Sequence, residues 1–186
     1  MPFLSDAELR EIGFRSLGRG VQVSDGARFY GADRIDLGDH CRIDDFALIS
    51  AGEGGIEMGR HVHIACYCSL QGEGSILIED FAGVSSRSMI LSSTDDFTGV
   101  AMTGPTLPRD VRAVETAAVR LERHALVGAA SVILPGVTLG VGSAVGALSL
   151  VREDVPAFTI VAGAPAREIG KRRRDLLELE RRFETT

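Results

Sequence analysis

The sequence predicts an all-β fold, a left-handed parallel β-helix with one long excursion loop and short terminal α-helices, and three observations predict it. Aliphatic residues recur at sixes: Leu37, Ile43, Ile49; Met58, Ile64, Leu70; Ile78, Val84, Ile90; Leu121, Val127, Ile133; Leu139, Val145, Val151. Four positions further on the residue is usually small, as at Cys41, Ala47, Cys68, Ala82, Ser88, Ala125, Ser131, Ser143 and Ser149. Whole units also repeat: 35–55, 56–75 and 76–96 align in succession, and 119–136 and 137–154 follow at 18 residues each. Neither the helical period of 3.6 nor the strand period of 2 yields a spacing of six. Three hexads per coil describe a three-sided prism. Its faces are short parallel strands stacked at about 4.8 Å, with the aliphatic columns inside and small residues easing each corner.

Each element follows in order. Residues 1–20 are expected to form an N-terminal cap, in which Ser5 followed by Glu8 is a capping-box pattern opening a short helix. The helix proper is expected over 21–164, as six or seven coils about 30 Å tall at that strand spacing. The hexads stop at Asp95 and resume at Val119, so 95–118 leaves one corner as an excursion loop. Gly99, Gly104, Pro105 and Pro108 speak against a helix through it, and loops of this length in compact domains usually serve function. Two shorter bulges, Gly52-Glu53-Gly54 and Gly72-Glu73-Gly74, each bring a carboxylate to one edge. Residues 165–186 are expected to be a closing helix, amphipathic over 166–183, with Ile169, Leu176, Leu177, Leu179 and Phe183 set among charges.

Composition narrows the function. The 186 residues, 45% of them hydrophobic, suit one ordinary globular domain, and 26 acidic against 20 basic side chains leave a formal charge of −6 that would repel a polyphosphate. No nucleic-acid partner is expected. Three cysteines without CxxC spacing suggest neither a disulfide framework nor a thiolate zinc site, and they fit a reducing, cytoplasmic setting. The opening MPFLSDAELREIGF has charges where a signal peptide needs an apolar core. Residues 125–151 carry no formal charge and are long enough to span a membrane. Their glycines, Pro135 and six-residue period identify coils instead, so no membrane insertion is expected.

Repeat columns sort the histidines. His40, His61 and His124 share the sixth place of their copies with Phe81, which points to packing of the repeat itself. His63 stands in the eighth place, where other copies carry Arg42, Gly83, Leu126 and Ala144, so the repeat does not call for it. Gly83 leaves room beside its ring and Arg42 would disfavour the imidazolium. His63 therefore reads either as a chemical group or as a surface corner residue. Cys41 and Cys68 fill small-residue columns and read as packing.

The stretch VGAASVILPGVTLGVGSAVGALSLVREDVPAFTIVAGAPAR over 127–167, with its closing AGxPAR signature, resembles the terminal coils of the hexapeptide-repeat acyltransferases. Over 35–167 the chain is similar to the sugar O- and N-acetyltransferases, such as galactoside and maltose acetyltransferases. The resemblance implies a homotrimer that moves an acetyl group from acetyl-CoA, bound between neighbouring prisms, to a hydroxyl or amino group of a sugar or nucleotide-linked sugar, with no metal. It also implies that Ala129 and Ala147 lie where backbone groups hold the pantetheine and the thioester carbonyl, and that Arg167, with Lys171, lies near the phosphates of CoA. His63 and Glu73 fall at acceptor-binding positions. One departure matters: the catalytic histidine that opens the loop in the galactoside and maltose enzymes is replaced here by Asp95, followed by Asp96. SSTDDFTG resembles instead a subgroup encoded among genes for surface-polysaccharide and O-antigen synthesis. The expectation that results is His63 as general base, with Asp95 or Asp96 orienting it or the acceptor across a subunit interface. Two rival readings are a γ-type carbonic anhydrase, which needs a His-x4-His pair that the four histidines do not form, and a catalytically inactive scaffold.

Overall fold

In the computed structural model, which describes residues 2–185, the hexads become three faces of parallel strands. The first face stacks Ser16–Leu17, Ile35–Leu37, Ile56–Met58, Ile76–Ile78, Val119–Leu121 and Thr138–Leu139. The second stacks Gln22–Val23, Arg42–Ile43, His63–Ile64, Gly83–Val84, Leu126–Val127, Ala144–Val145 and Thr159–Gly163. The third stacks Arg28–Tyr30, Leu48–Ala51, Ser69–Gly72, Met89–Leu91, Val132–Ile133 and Leu150–Val151. Six complete coils and a partial seventh result, with one register kept throughout, so that Ile43, Ile64, Val84, Val127, Val145 and Val161 lie in one column. The aliphatic columns are buried. A slip of one residue would turn each of them outward, which is why the register holds. The uncharged stretch 125–151 is wholly coil, and no helix is long and apolar enough to cross a membrane.

The corners explain the histidine column. His40, His61, Phe81 and His124 adopt left-handed φ values of 59°, 56°, 61° and 63°, a conformation that costs an L-residue energy. Each corner amide is satisfied by the coil before it, as His61 N donates to Asp39 O (2.9 Å) and Phe81 N to Arg60 O (2.9 Å). The rings then stack with centroids 4.9, 5.2 and 5.1 Å apart. Behind them Cys41, Ala82 and Ala125 are fully buried, and Cys68 is likewise buried at the next corner. Burial pushes the Cys41 thiol up to about 11, so it is unreactive packing.

The ends depart from expectation in two places. The first coil begins at Ser16, inside the segment expected to be cap, because Leu17 falls into the column of Leu37. Ahead of it α1 (Asp6–Ile12) carries the capping box, with Ser5 N donating to Glu8 Oε2 at 2.8 Å. At the other end 166–171 is not helical. Thr159–Gly163 would leave an open strand edge, and Ala166–Lys171 returns antiparallel to pair with it. The closing helix α2 is therefore shorter, Asp175–Glu184. It leans on the first corner through Phe183, edge-on to His61 at 5.2 Å, and through Glu180, which meets His124 Nε2 at 2.7 Å and Arg123 at 3.1 Å. Arg172 fastens the connection by donating to the carbonyls of His124 (2.8 Å) and Ser143 (3.2 Å), and its burial lowers its affinity for the proton.

Because Leu70 is fully buried at mid-prism, Leu70→Ala is expected to cost about 2–5 kcal/mol, measured by denaturant unfolding, with the strand content of the folded state unchanged.

Candidate active site

At the third corner, the two glycine bulges stack one above the other. Gly52 N donates to Gly72 O (3.1 Å) and Gly54 N to Glu73 O (2.9 Å). A Cβ on Gly54 would run into the backbone at Ser75, and Gly72 sits at φ 140°, so the bulges need glycine. One coil on, Ser93 Oγ accepts from Glu73 N at 3.2 Å, and Ser93–Asp95 pairs antiparallel with Val114–Thr116 to tie the base of the excursion loop. A 3-10 turn, Arg109–Val111, lies within the loop and no α-helix does. Between bulges and loop opens a cleft of ≈ 620 Å³ lined by Glu53, Glu73, Ser93, Thr94, Asp95, Pro105, Arg109, Arg112, Val114 and Thr116. Among the described residues the Asp95 carboxylate makes no hydrogen bond or ion pair.

Asp96, its neighbour, has a different task from the expected acceptor contact. One carboxylate oxygen accepts from Thr98 N (2.9 Å) and Thr98 Oγ1 (2.6 Å), and the other from Gly99 N and Ala101 N (3.0 Å each). These bonds, the Thr98 hydroxyl's first, hold its carboxyl well below the usual carboxylate range. Asp96 is thus the peg on which the loop turns.

His63 lies on the second face and outside this cleft, so one chain does not bring it beside Asp95 or Glu73. Its Nε2 is 2.9 Å from Asp44 Oδ2, and Arg42 Nε donates to Asp44 Oδ1 at 2.7 Å. Asp44 is therefore the shared partner of Arg42 and His63. Burial opposes charge on Asp44, but the hydrogen bonds from Arg42 and His63 outweigh it and hold the carboxyl below its ordinary value. The His63 side chain is 50% exposed, so the ring nitrogen that does not face Asp44 is within reach of solvent.

Ala129 and Ala147 are exposed at the second corner, one coil apart, where Leu148 N donates to Ala129 O at 2.8 Å. Among the described residues neither alanine's N–H donates to a backbone carbonyl. Arg167 donates to Ala166 O (2.9 Å) and borders a smaller hollow of ≈ 150 Å³ with Arg152 and Glu168. Lys171 is partly committed, to Thr159 Oγ1 at 3.0 Å and Glu168 at 2.8 Å. Sequence reasoning missed Asp44, which only its place one coil below His63 reveals, and missed Arg109 and Arg112, which the loop folds back into the cleft. Among the described residues no group of three or more His, Cys, Asp or Glu is placed to hold a metal ion.

Hexad coils, exposed alanine amides at one corner and a charged cleft at another are the layout of a hexapeptide-repeat transferase. No family model matches the chain. It is 44% identical over 183 residues, 98% of this chain and 95% of the other, to a dTDP-4-amino-4,6-dideoxy-D-glucose acyltransferase of Escherichia coli. Among solved structures it is similar to AntD, an N-acyltransferase from Bacillus cereus. An aspartate-to-asparagine variant of AntD in complex with dTDP and coenzyme A superposes with a TM-score of 0.95 at 40% identity, covering 100% of this chain and 99% of that one. AntD in complex with dTDP and 3-hydroxybutyryl-CoA gives 0.94 at 41%, covering 98% and 96%. The chain belongs to the hexapeptide-repeat sugar acyltransferases and is an acyl-CoA-dependent enzyme.

Because Asp96 is stabilised in its charged form, its hold on the loop should be complete above about pH 4, the ordinary carboxylate value, and weaken only as the pH falls below it. Hydrogen exchange at pH 7 is expected to show Thr98, Gly99 and Ala101 amides protected in the native protein and exposed in Asp96→Ala. Equal protection in both would show that the peg is not needed.

Proposed function

We propose that this enzyme transfers an acyl group from acyl-CoA to the amino group of a dTDP-linked 4-amino-4,6-dideoxyhexose, working in the cytoplasm as a homotrimer whose sites are each shared by two subunits. The observation that carries the proposal is the Asp95 carboxylate, open to a cleft it shares with Glu53 and Glu73 and bound to no cation of its own chain. Three carboxylates around one hollow suit an ammonium group. Full-length similarity to an acyltransferase named for such an amino sugar, and to an N-acyltransferase solved with dTDP-4-amino-4,6-dideoxyglucose and coenzyme A, supports the same acceptor.

The altered forms of AntD support the residue roles. Their substitutions fall on a serine and on an aspartate ten residues after it. Two pairs here have that spacing, Ser85 with Asp95 and Ser86 with Asp96. Asp96 is occupied by its loop, which favours Ser85 and Asp95. Ser85 lies at the second corner, in the column of Asp44, and Asp95 at the third. A site that uses both takes them from two chains. A surface for such pairing exists: Phe46, Tyr67 and Leu148 run down the second corner 57%, 53% and 75% exposed.

In this arrangement the bound ammonium gives one proton to Asp95 and the free amine attacks the thioester carbonyl. The C–N bond forms, the oxyanion is met by the Ala129 or Ala147 N–H, and the C–S bond breaks to release CoA thiolate, which takes up the second proton that the nitrogen sheds. His63, held by Asp44, faces the same interface as a second proton acceptor, and Glu73 binds the acceptor. Arg167 and Lys171 lie toward the CoA phosphates.

The proposal is tested by assaying transfer from acetyl-CoA, then 3-hydroxybutyryl-CoA, to dTDP-4-amino-4,6-dideoxyglucose. Asp95→Asn and His63→Asn are each expected to lower kcat about a hundredfold or more while acyl-CoA affinity stays intact. Near-normal turnover in either relieves that residue of its role. Tyr67→Asp is expected to sediment as monomers and to be inactive, whereas an active monomer would remove the shared site.

A further inference from the structure

Five charged side chains line the third-corner cleft: Glu53, Glu73, Asp95, Arg109 and Arg112. Although both signs share one hollow, none forms an ion pair among the described residues, while charges elsewhere on the prism pair repeatedly, as Arg15 does with Asp36, Arg60 with Asp80 and Arg120 with Glu79. Arg112 is the sharpest case. Its Nε is buried without a partner, and among the described residues its side chain makes a single, long hydrogen bond, Nη1 to Gly104 O at 3.5 Å. A buried guanidinium donor left unsatisfied is costly, and one kept in a native structure calls for a partner from outside the chain. The Arg109 side chain, on the 3-10 turn three residues earlier, makes no hydrogen bond or ion pair among the described residues.

Such a cleft matches a ligand that carries both signs of charge, with its cationic group at the carboxylates and its anionic group at the arginines. We propose that Arg109 and Arg112 form the subsite that grips the diphosphate of the nucleotide-linked acceptor, so that the excursion loop selects an activated sugar over a free one. The inference deepens the function proposed above and rests on it for the identity of the acceptor. Guanidinium suits the task because its planar fork gives two parallel N–H donors to one phosphate. The antiparallel tie of Asp95 to Val114, two residues from Arg112, fixes the distance between the anion-binding and amine-binding parts of the cleft. Asp96 then matters indirectly, since the loop it pegs is the loop that delivers both arginines.

The test is calorimetric titration of dTDP into the full-length protein, with thymidine as the probe lacking phosphates. Arg112→Ala and the double variant with Arg109→Ala are expected to lose dTDP affinity about tenfold or more, with Arg112→Lys recovering part of it. Thymidine and acyl-CoA binding are expected to be unchanged. Unchanged dTDP affinity in the double variant overturns the subsite, and so does an equal loss for thymidine, which would mean that the loop itself had shifted. The acyl-transfer assay is a separate readout: arginine-dependent dTDP binding without transfer to the amino sugar would sink the proposed reaction and leave the subsite standing.

Discussion

Everything in this molecule depends on one packing constraint: successive coils must stack in a single register so that their aliphatic residues fall into closed columns. The columns are fully buried and nearly without polar atoms, so any shift along the strand direction exchanges apolar for polar side chains on the inside. Function inherits that rigidity. A side chain on one coil is held about 4.8 Å from its counterpart on the next, which turns sequence places into fixed distances. His63 and Asp44 meet because the second face aligns their coils, and Glu73 reaches Ser93 because the third corner does.

The same regularity makes most of the fold legible in the sequence. A period of six has no other structural source, and the left-handed corners filled by His40, His61, Phe81 and His124 follow from it. Where legibility fails, the cause is local. Residues 166–183 have the composition of an amphipathic helix, but an unpaired strand edge is a stronger demand than propensity. The first six residues pair with Thr159–Gly163, and only α2 remains helical. Asp95 and Asp96 look alike in sequence and differ in the structure by the direction each side chain takes from the ribbon. One opens to the cleft and the other turns back onto three amides.

The candidate site was harder to see because its parts are not neighbours in any sequence pattern. His63 stands out from its column, whereas its partner Asp44 sits in another column, whose later members are Ala65, Ser85 and Gly128. Nothing in the sequence links the two until the coils are stacked. Arg109 and Arg112 lie in the one segment without hexads, so no register predicts where they point. The charges that matter most are those with no partner in their own chain, and the absence of a partner is a property of three dimensions alone.

That absence also bears on the shared site proposed above. The second and third corners are the two ends of one face, and at about 3.3 Å per residue a strand with its flanking turns separates them by well over 10 Å. A single acyl transfer requires its nucleophile, thioester carbonyl and proton acceptor within a few ångströms. One rigid prism cannot fold its own corners together, because the columns that make it stable forbid the bend. In the homotrimer proposed above, the alanines and the His63–Asp44 pair at one prism's second corner would meet the carboxylate cleft at another prism's third. The exposed aromatic and aliphatic residues at the second corner are what would hold it there.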